Sequence, residues 1–374
     1  MRPLRVGFVG VGNISGIYFQ NLKAFPATEV VACADIDPAR TAAVAEQHGV
    51  RAMTPDELIA SPDVDLVLNL TIPKVHGDVA LQAVRAGKHV YNEKPLTIDL
   101  DQARLLLDEA DANGVRVGCA PDTFLGSGQQ TARAAIEAGL IGTPIGAQAF
   151  MIGHGPEAWH PNPDFFYKPG GGPMLDMGPY YVTALVNMLG PVKRLTGSAR
   201  ASFAQRPVVA TNKNFYDTRG GEPGSYSIDV ETPTHLTAVL DFEGGAIGEL
   251  TTSFDVWHTE GLFPIAVYGS EGSMLVPDPN NFGGDVKVRR HDESEWRVLP
   301  VAHGFTENSR GLGVLDIAYA LEEGREHRAS GRLALHALDV MLGVARASEE
   351  GRHQLLSSGT RPEALTSDAF ADQR

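Results

Sequence analysis

Apolar positions along this chain follow two rhythms, and the change from one to the other divides it. In the first third, short apolar runs alternate with stretches of helical spacing. Residues 5–9 read as a strand, and Ile14, Ile17, Tyr18, Leu22 and Phe25 then recur as one helical face. Further strands are predicted at 30–34, 51–53, 64–70, 89–92 and 115–119, with helices at 41–47, 56–59, 76–86 and 100–112 between them. Thr54 before Pro55 predicts an N-cap, while Gly87 and Gly114 predict helix ends. The run 64–70 is almost wholly apolar, as in a strand covered on both faces. The alternation predicts a doubly wound parallel sheet, an α/β Rossmann domain.

Beyond about residue 125 the rhythm changes. One helix at 128–138 precedes a Gly- and Pro-rich stretch from 153 to 172, and the next helix is predicted from about Tyr180 to 189. Strands at 234–242, 246–254, 264–269, 273–276, 286–290 and 296–299 then succeed one another, with Gly244-Gly245 as a hairpin signal. They predict an α+β domain with a large, mainly antiparallel open sheet. Helices at 312–323 and 333–347 follow, and residues after Leu356 read as loose and polar. The expected division is 1–123 as a nucleotide-binding Rossmann domain and 124–330 as an α+β substrate and oligomerisation domain. The remainder, 331–374, is expected to pack back near the domain interface as a C-terminal helix and tail.

Composition adds exclusions. The 374 residues are 43% hydrophobic and 21% charged, which suits soluble globular domains rather than a disordered chain. The net charge of −15 is dispersed, which disfavours nucleic acid and anionic membrane surfaces as partners. The two cysteines, Cys33 and Cys119, end apolar runs and read as buried thiols. With no disulfide framework, no secretion signal and no membrane-spanning run, a cytoplasmic location is expected.

The first loop carries chemistry. Gly10-Val11-Gly12-Asn13-Ile14-Ser15 lies between a strand and a helix. Gly10 permits the turn, and Gly12 lets the backbone approach a pyrophosphate on the helix N-terminus. Ser15 replaces the third glycine and is small enough for close packing. Asp35 ends the second strand, where it can accept hydrogen bonds from both adenosine ribose hydroxyls and repel a 2′-phosphate. NAD is therefore expected over NADP, whereas Asp37 reads as the cap of the following helix.

In an open parallel sheet the ligand crevice lies beyond the carboxyl ends of the strands. Thr71-Ile72-Pro73 with His76, and Glu93-Lys94-Pro95, occupy two such ends and are expected at the nicotinamide. A lysine there can hydrogen-bond a substrate hydroxyl while its charge favours a developing alkoxide. Asp122, at the end of the next strand, is a candidate for substrate or the nicotinamide amide.

These three motifs, in this order and spacing, resemble the glucose–fructose oxidoreductase/inositol dehydrogenase/MocA family, and the resemblance covers nearly the whole chain. It implies a sugar or cyclitol dehydrogenase with Lys94 catalytic, assembled as a homodimer or homotetramer. Gly170 to Tyr180 resembles that family's Gly-Gly-Gly-x-x-x-Asp-x-Gly-x-His segment, which implies that Asp176 orients the substrate. Tyr180 stands where the family has histidine. Either Tyr180, its pKa lowered by Lys94, or Lys94 itself is expected to take the hydroxyl proton, with Lys94 as the central group.

Sugars need polar groups for hydroxyls and aromatic faces for their C–H surfaces. His154, Trp159, His160 and Tyr167 in the Gly/Pro-rich stretch are therefore candidate pocket residues. His235, His258, His291 and His303 are scattered, so no metal is expected. The expected activity is NAD-dependent oxidation of a secondary hydroxyl of a sugar, glycoside or cyclitol. Redox-neutral glycoside cleavage through transient oxidation, or dinucleotide sensing without turnover, are the alternatives.

Overall fold

The computed structural model describes residues 2–160, 162–208, 226–301, 304–366 and 369–370. Strands and helices alternate through the first part: β1 (Leu4–Val9), α1 (Ser15–Ala24), β2 (Thr28–Ala34), α2 (Pro38–His48), β3 (Arg51–Ala52), α3 (Pro55–Ala60), β4 (Leu66–Asn69), α4 (His76–Arg85), β5 (His89–Asn92), α5 (Leu100–Asn113) and β6 (Val117–Cys119). The six strands form one parallel sheet in the order β3-β2-β1-β4-β5-β6. The order reverses between β1 and β4, and the crevice for a ligand opens at such a switch point. Local chemistry sets the helix starts: Asp37 accepts from the Ala39 and Arg40 amides, and Thr54 forms a capping box with Glu57. Cys33 and Cys119 are buried free thiols.

The second part contains α6 (Ser127–Glu137), β7 (Pro144–Ile152), α7 (Gly172–Leu189), β8 (Val192–Arg200), β9 (Gln205–Val208), β10 (Tyr226–Asp229), β11 (His235–Phe242), β12 (Ile247–Ser253), β13 (Ile265–Gly269), β14 (Gly272–Val276), β15 (Lys287–Arg290) and β16 (Arg297–Val298). It is followed by α8 (Leu312–Glu323), α9 (Gly331–Glu350) and β17 (Gln354–Leu355). Nine strands make a large sheet ordered β16-β15-β14-β13-β7-β12-β11-β8-β17. All its pairs are antiparallel except β7 with β12. Helices α7 and α9 cover one face. Along β11, Leu236, Ala238, Leu240 and Phe242 point into that core, while Val239 on the other face is exposed.

Three expectations need correction. The helix predicted from Tyr180 begins at Gly172 and runs through Pro179, so Tyr180 lies mid-helix rather than at its start. Glycine and proline read as breakers, yet Pro173 sits in the first turn, where its missing amide costs nothing. Strands β7 and β8 were missed because Gly and Ala dilute their apolar alternation. The stretch after Leu356 is not loose: Leu365 and Phe370 are buried.

The chain also returns on itself. Helix α8 packs on β6, and the link from α8 to α9 lies along that sheet edge, where the Cys119 amide donates to Ala329 O at 3.0 Å. Helix α9 then packs on both α5 and the large sheet.

Candidate active site

The glycine loop leaves β1 with Gly10 at φ +92°, and a Cβ there would lie 2.8 Å from the Leu70 carbonyl carbon and oxygen. Only glycine lets the loop cross the end of β4 so closely. Gly12 meets nothing within 4 Å, Asn13 is exposed and Ile14 is half-buried. Ser15 closes the turn by donating from Oγ to Gly12 O at 2.7 Å and opens α1. An open glycine backbone before a helix start fits a pyrophosphate.

Asp35 follows β2 directly. Its Oδ2 accepts from the Val11 amide at 3.0 Å and its Oδ1 from the Asp37 amide at 3.0 Å. The carboxylate is thus tied to the glycine loop, at the end of the second strand where a ribose could reach it. Arg40 Nη1 lies 3.5 Å from Asp35 Oδ1, and Ile36 beside it is 94% exposed.

Two buried asparagines brace the reacting end of the sheet. Asn69 Nδ2 donates to Asn92 Oδ1 at 3.0 Å, and Asn92 Nδ2 donates to Leu96 O at 3.0 Å, tying together β4, β5 and the turn after β5. Thr71 Oγ1 donates to Asn69 Oδ1 at 2.6 Å, and Pro73 starts a short turn into α4. Glu93 accepts from Tyr18 Oη at 2.8 Å and from the Lys94 amide at 2.9 Å. That grip aims Lys94 across to the second domain. Lys94 Nζ donates to Asp176 Oδ1 at 2.8 Å and to Asp176 O at 2.6 Å, and stands 5.4 Å from the Tyr180 ring centroid.

Because α7 starts at Gly172, Asp176 and Tyr180 are one turn apart on a single helix face. Arg310, just before α8, brings a positive charge near Tyr180. Burial would lower the Lys94 pKa, but Asp176 and Tyr180 outweigh it and hold the ammonium above the usual lysine range. Burial raises the Tyr180 pKa, while Lys94 and Arg310 pull against it.

Other expected residues divide. His160 sits close enough to feel the Asp176 carboxylate, and Trp159, 64% exposed, meets it edge-on. His76 does not face the crevice: it is 1% exposed, with ring nitrogens 2.7 and 3.0 Å from the Pro95 and Thr71 carbonyl oxygens. It braces the two strand-end loops. Asp122 is also corrected, because it is buried and its Oδ2 accepts from the Gly311 and Gly313 amides at 2.8 and 3.0 Å. The start of α8 claims it, and burial pushes its carboxyl up to about 6. Tyr167 is fully buried and donates to Glu157, so it is no pocket residue. Arg206 binds that Glu157 and Asp255, and His154 joins the same node, stacked on Trp257. Tyr18, Arg310 and the asparagine brace carried no motif and were missed. Among the described residues no three His, Cys, Asp or Glu side chains are grouped to hold a metal; His303 lies outside them.

Two family models match the chain: an oxidoreductase family with an NAD-binding Rossmann fold over residues 4–120, and the GFO/IDH/MocA C-terminal domain over 129–275. A 1,5-anhydro-D-fructose reductase of Ensifer adhaerens is 33% identical over 95% of this chain and 99% of its own length. A myo-inositol 2-dehydrogenase of Thermotoga maritima is 27% identical over 73% of this chain and 75% of its own. The fold is shared with an NAD-binding oxidoreductase from Klebsiella pneumoniae, at TM-score 0.80 and 21% identity over 95% of this chain and 100% of that one. A levoglucosan dehydrogenase in complex with NADH and L-sorbose has TM-score 0.79 and 18% identity over 96% and 100%. No helix among the described residues is long and apolar enough to cross a membrane. With an NAD-binding Rossmann domain followed by the matching C-terminal domain, this chain belongs to the glucose–fructose oxidoreductase/inositol dehydrogenase/MocA family of oxidoreductases.

Proposed function

We propose that the protein oxidises a secondary hydroxyl of a sugar, glycoside or cyclitol with NAD. The observation that carries this reading is the contact of Lys94 with Asp176 beside Tyr180, at the carboxyl edge of the nucleotide-binding sheet. Relatives named for anhydrofructose, inositol and levoglucosan support the polyol class. Gly10, Gly12, Asn13 and Ile14 hold the pyrophosphate end of NAD, and Asp35 holds the ribose. The bound nicotinamide supplies the two-electron acceptor for the carbinol carbon.

Asp176 accepts from a neighbouring hydroxyl and orients the ring. Lys94 stays an ammonium, because Asp176 holds its proton, and donates to the reacting oxygen as charge develops there. Tyr180 then takes the hydroxyl proton, since a lysine held above its usual range is a poor base. His160 and Trp159 line the outer pocket. The open outer face of the large sheet, with Val239, Ile247 and Tyr268 exposed, supports a homodimer or homotetramer.

A panel of sugars, cyclitols and glycosides, assayed with NAD and with NADP, tests the reading. Reduced nicotinamide should accumulate with at least one polyol, and faster with NAD. Aglycone release without net reduction would replace dehydrogenation by redox-neutral cleavage.

A further inference from the structure

Strands β9 and β10 pair with each other, apart from the large sheet. Phe166, Tyr167, Val208, Ile228 and Phe254 form a small core separate from the main one, so this ribbon closes over the segment that leads into α7. Arg206 shares the buried face of β9 with Val208 and is only 2% exposed.

All three nitrogens of its guanidinium are engaged. Nε donates to Glu157 Oε1 at 2.9 Å, Nη1 to Asp255 Oδ1 at 3.0 Å and Nη2 to Phe254 O at 2.9 Å, while Nη2 also reaches His154 O. Its carbon stands 5.5 and 5.3 Å from the ring centroids of Tyr167 and Phe203. Asp255 is steadied in turn by Thr234, whose Oγ1 donates to Oδ2 at 2.7 Å. A buried ion pair is a poor source of stability, because desolvation offsets its Coulomb gain. What this one delivers is a fixed geometry.

The chain from Glu157 to Tyr167 returns on itself and is closed at its base where the Tyr167 hydroxyl donates to Glu157. Gly155, at φ +90°, lets the backbone pass where a Cβ would strike that hydroxyl. Within the loop His160 meets Trp159, Phe165 and Phe166 edge-on. Its far end packs on the start of α7: the Gly171 amide donates to Lys168 O at 2.8 Å, and a Cβ at Gly171 would run into the Phe165 and Phe166 carbonyls. Asp176 follows about one turn into that helix. We propose that Arg206 is a positioning residue for substrate specificity: by locking Glu157 to Asp255, it fixes the loop bearing Trp159 and His160 as a rigid wall beside the Asp176 end of the pocket. The inference rests on the polyol site proposed at Lys94 and Asp176.

Two readouts test this. In Arg206→Met, KM for the best polyol should rise about tenfold while kcat stays within about threefold and NAD affinity holds, since Lys94, Asp176 and Tyr180 lie outside the node. Preference for that polyol over the next should narrow. Arg206→Lys keeps the charge but not the planar fork and should lie between. Partial unfolding acts differently: it removes active molecules, so kcat falls at an unmoved KM. The second readout needs no turnover. With Trp257→Phe and Trp296→Phe in place, Trp159 is the sole tryptophan, and its nanosecond anisotropy should decay faster when Arg206→Met is added. Tyr167→Phe removes only the bond across the loop base and should raise KM by a smaller factor; together with Arg206→Lys it decides the matter if Arg206→Met does not fold. A fall in kcat at constant KM overturns the inference, and so does a Trp159 anisotropy decay that is alike with and without Arg206. If the parent binds NAD but oxidises no polyol, the proposed activity fails, while the anisotropy still decides whether Arg206 fixes the loop.

Discussion

At the residue scale, Lys94 carries the sharpest expectation. Its ammonium is held by Asp176 and aimed by the grip of Glu93 on its amide. Lys94→Met keeps the bulk and removes the charge, so turnover should fall about 100-fold to 10,000-fold while NAD affinity persists. Full turnover with normal NAD binding would remove Lys94 from the mechanism. Gly10 was legible because backbone geometry demands it where a Cβ would strike Leu70, whereas Asp176 was picked out only by its resemblance to the family segment, and the structure sets it against Lys94. Residue type at a strand end was a poorer guide. Asp122 and His76 stand at the right edge, but buried backbone groups claim them first, and a sequence does not display which amide or carbonyl will arrive. Arg310 and Tyr18 reach the site only through the folding of distant segments, so no local pattern announces them.

At the element scale, helix α7 shows the limit of local rules. Its glycines and Pro179 look like a loop, yet tertiary packing buries most of the helix, and Tyr180 is delivered one turn after Asp176. Helix α9 was legible by its spacing, but its attachment to β8 was not. His336 makes that link: Nε2 accepts from the Val192 amide at 3.0 Å, and Nδ1 lies 3.0 Å from Ser358 Oγ. Accepting requires a neutral ring nitrogen, and burial depresses the His336 pKa to about 4. The unfolded chain, with histidine near 6.5, binds this proton first as pH falls. The contribution is therefore complete above about pH 6.5 and is lost as pH drops toward about 4, by up to about 3 kcal/mol. His336→Gln retains an acceptor that does not titrate. Urea unfolding of both proteins across this window should show the steeper acid loss in the parent, and parallel curves would deny His336 the role.

At the scale of the whole molecule, the division into a parallel and a mainly antiparallel part was legible, because the apolar rhythm changes where the fold does. The return of α8 to the first sheet was not, since that helix follows a long excursion through the second and was assigned to the second domain. The final segment completes that return as a strap. Arg361 donates to Asn187 O and Met188 O at 3.1 Å each, and Arg133 donates to Pro362 O at 2.7 Å, holding the strap to α6 and α7. Leu365 donates from its amide to Gln130 Oε1, and Arg328 donates to Ala364 O. Phe370 then packs against Phe305 and against Tyr319 of α8. The strap thus binds helices of the large sheet to a helix of the nucleotide-binding sheet. Burying Leu365 and Phe370 contributes about 2 kcal/mol each, so a chain ending at Gly359, which keeps Ser358 on His336, should lose about 4 kcal/mol. That corresponds to a fall of roughly 5–10 °C in Tm. Because the loss falls on the link between the two parts, calorimetry should show the single transition broadening or splitting. Phe370→Ala should give about half of the same change, as only the α8 anchor is removed. A shortened chain that melts at the parent temperature in one sharp transition would mean that the direct contacts of α8 and α9 suffice to couple the two halves.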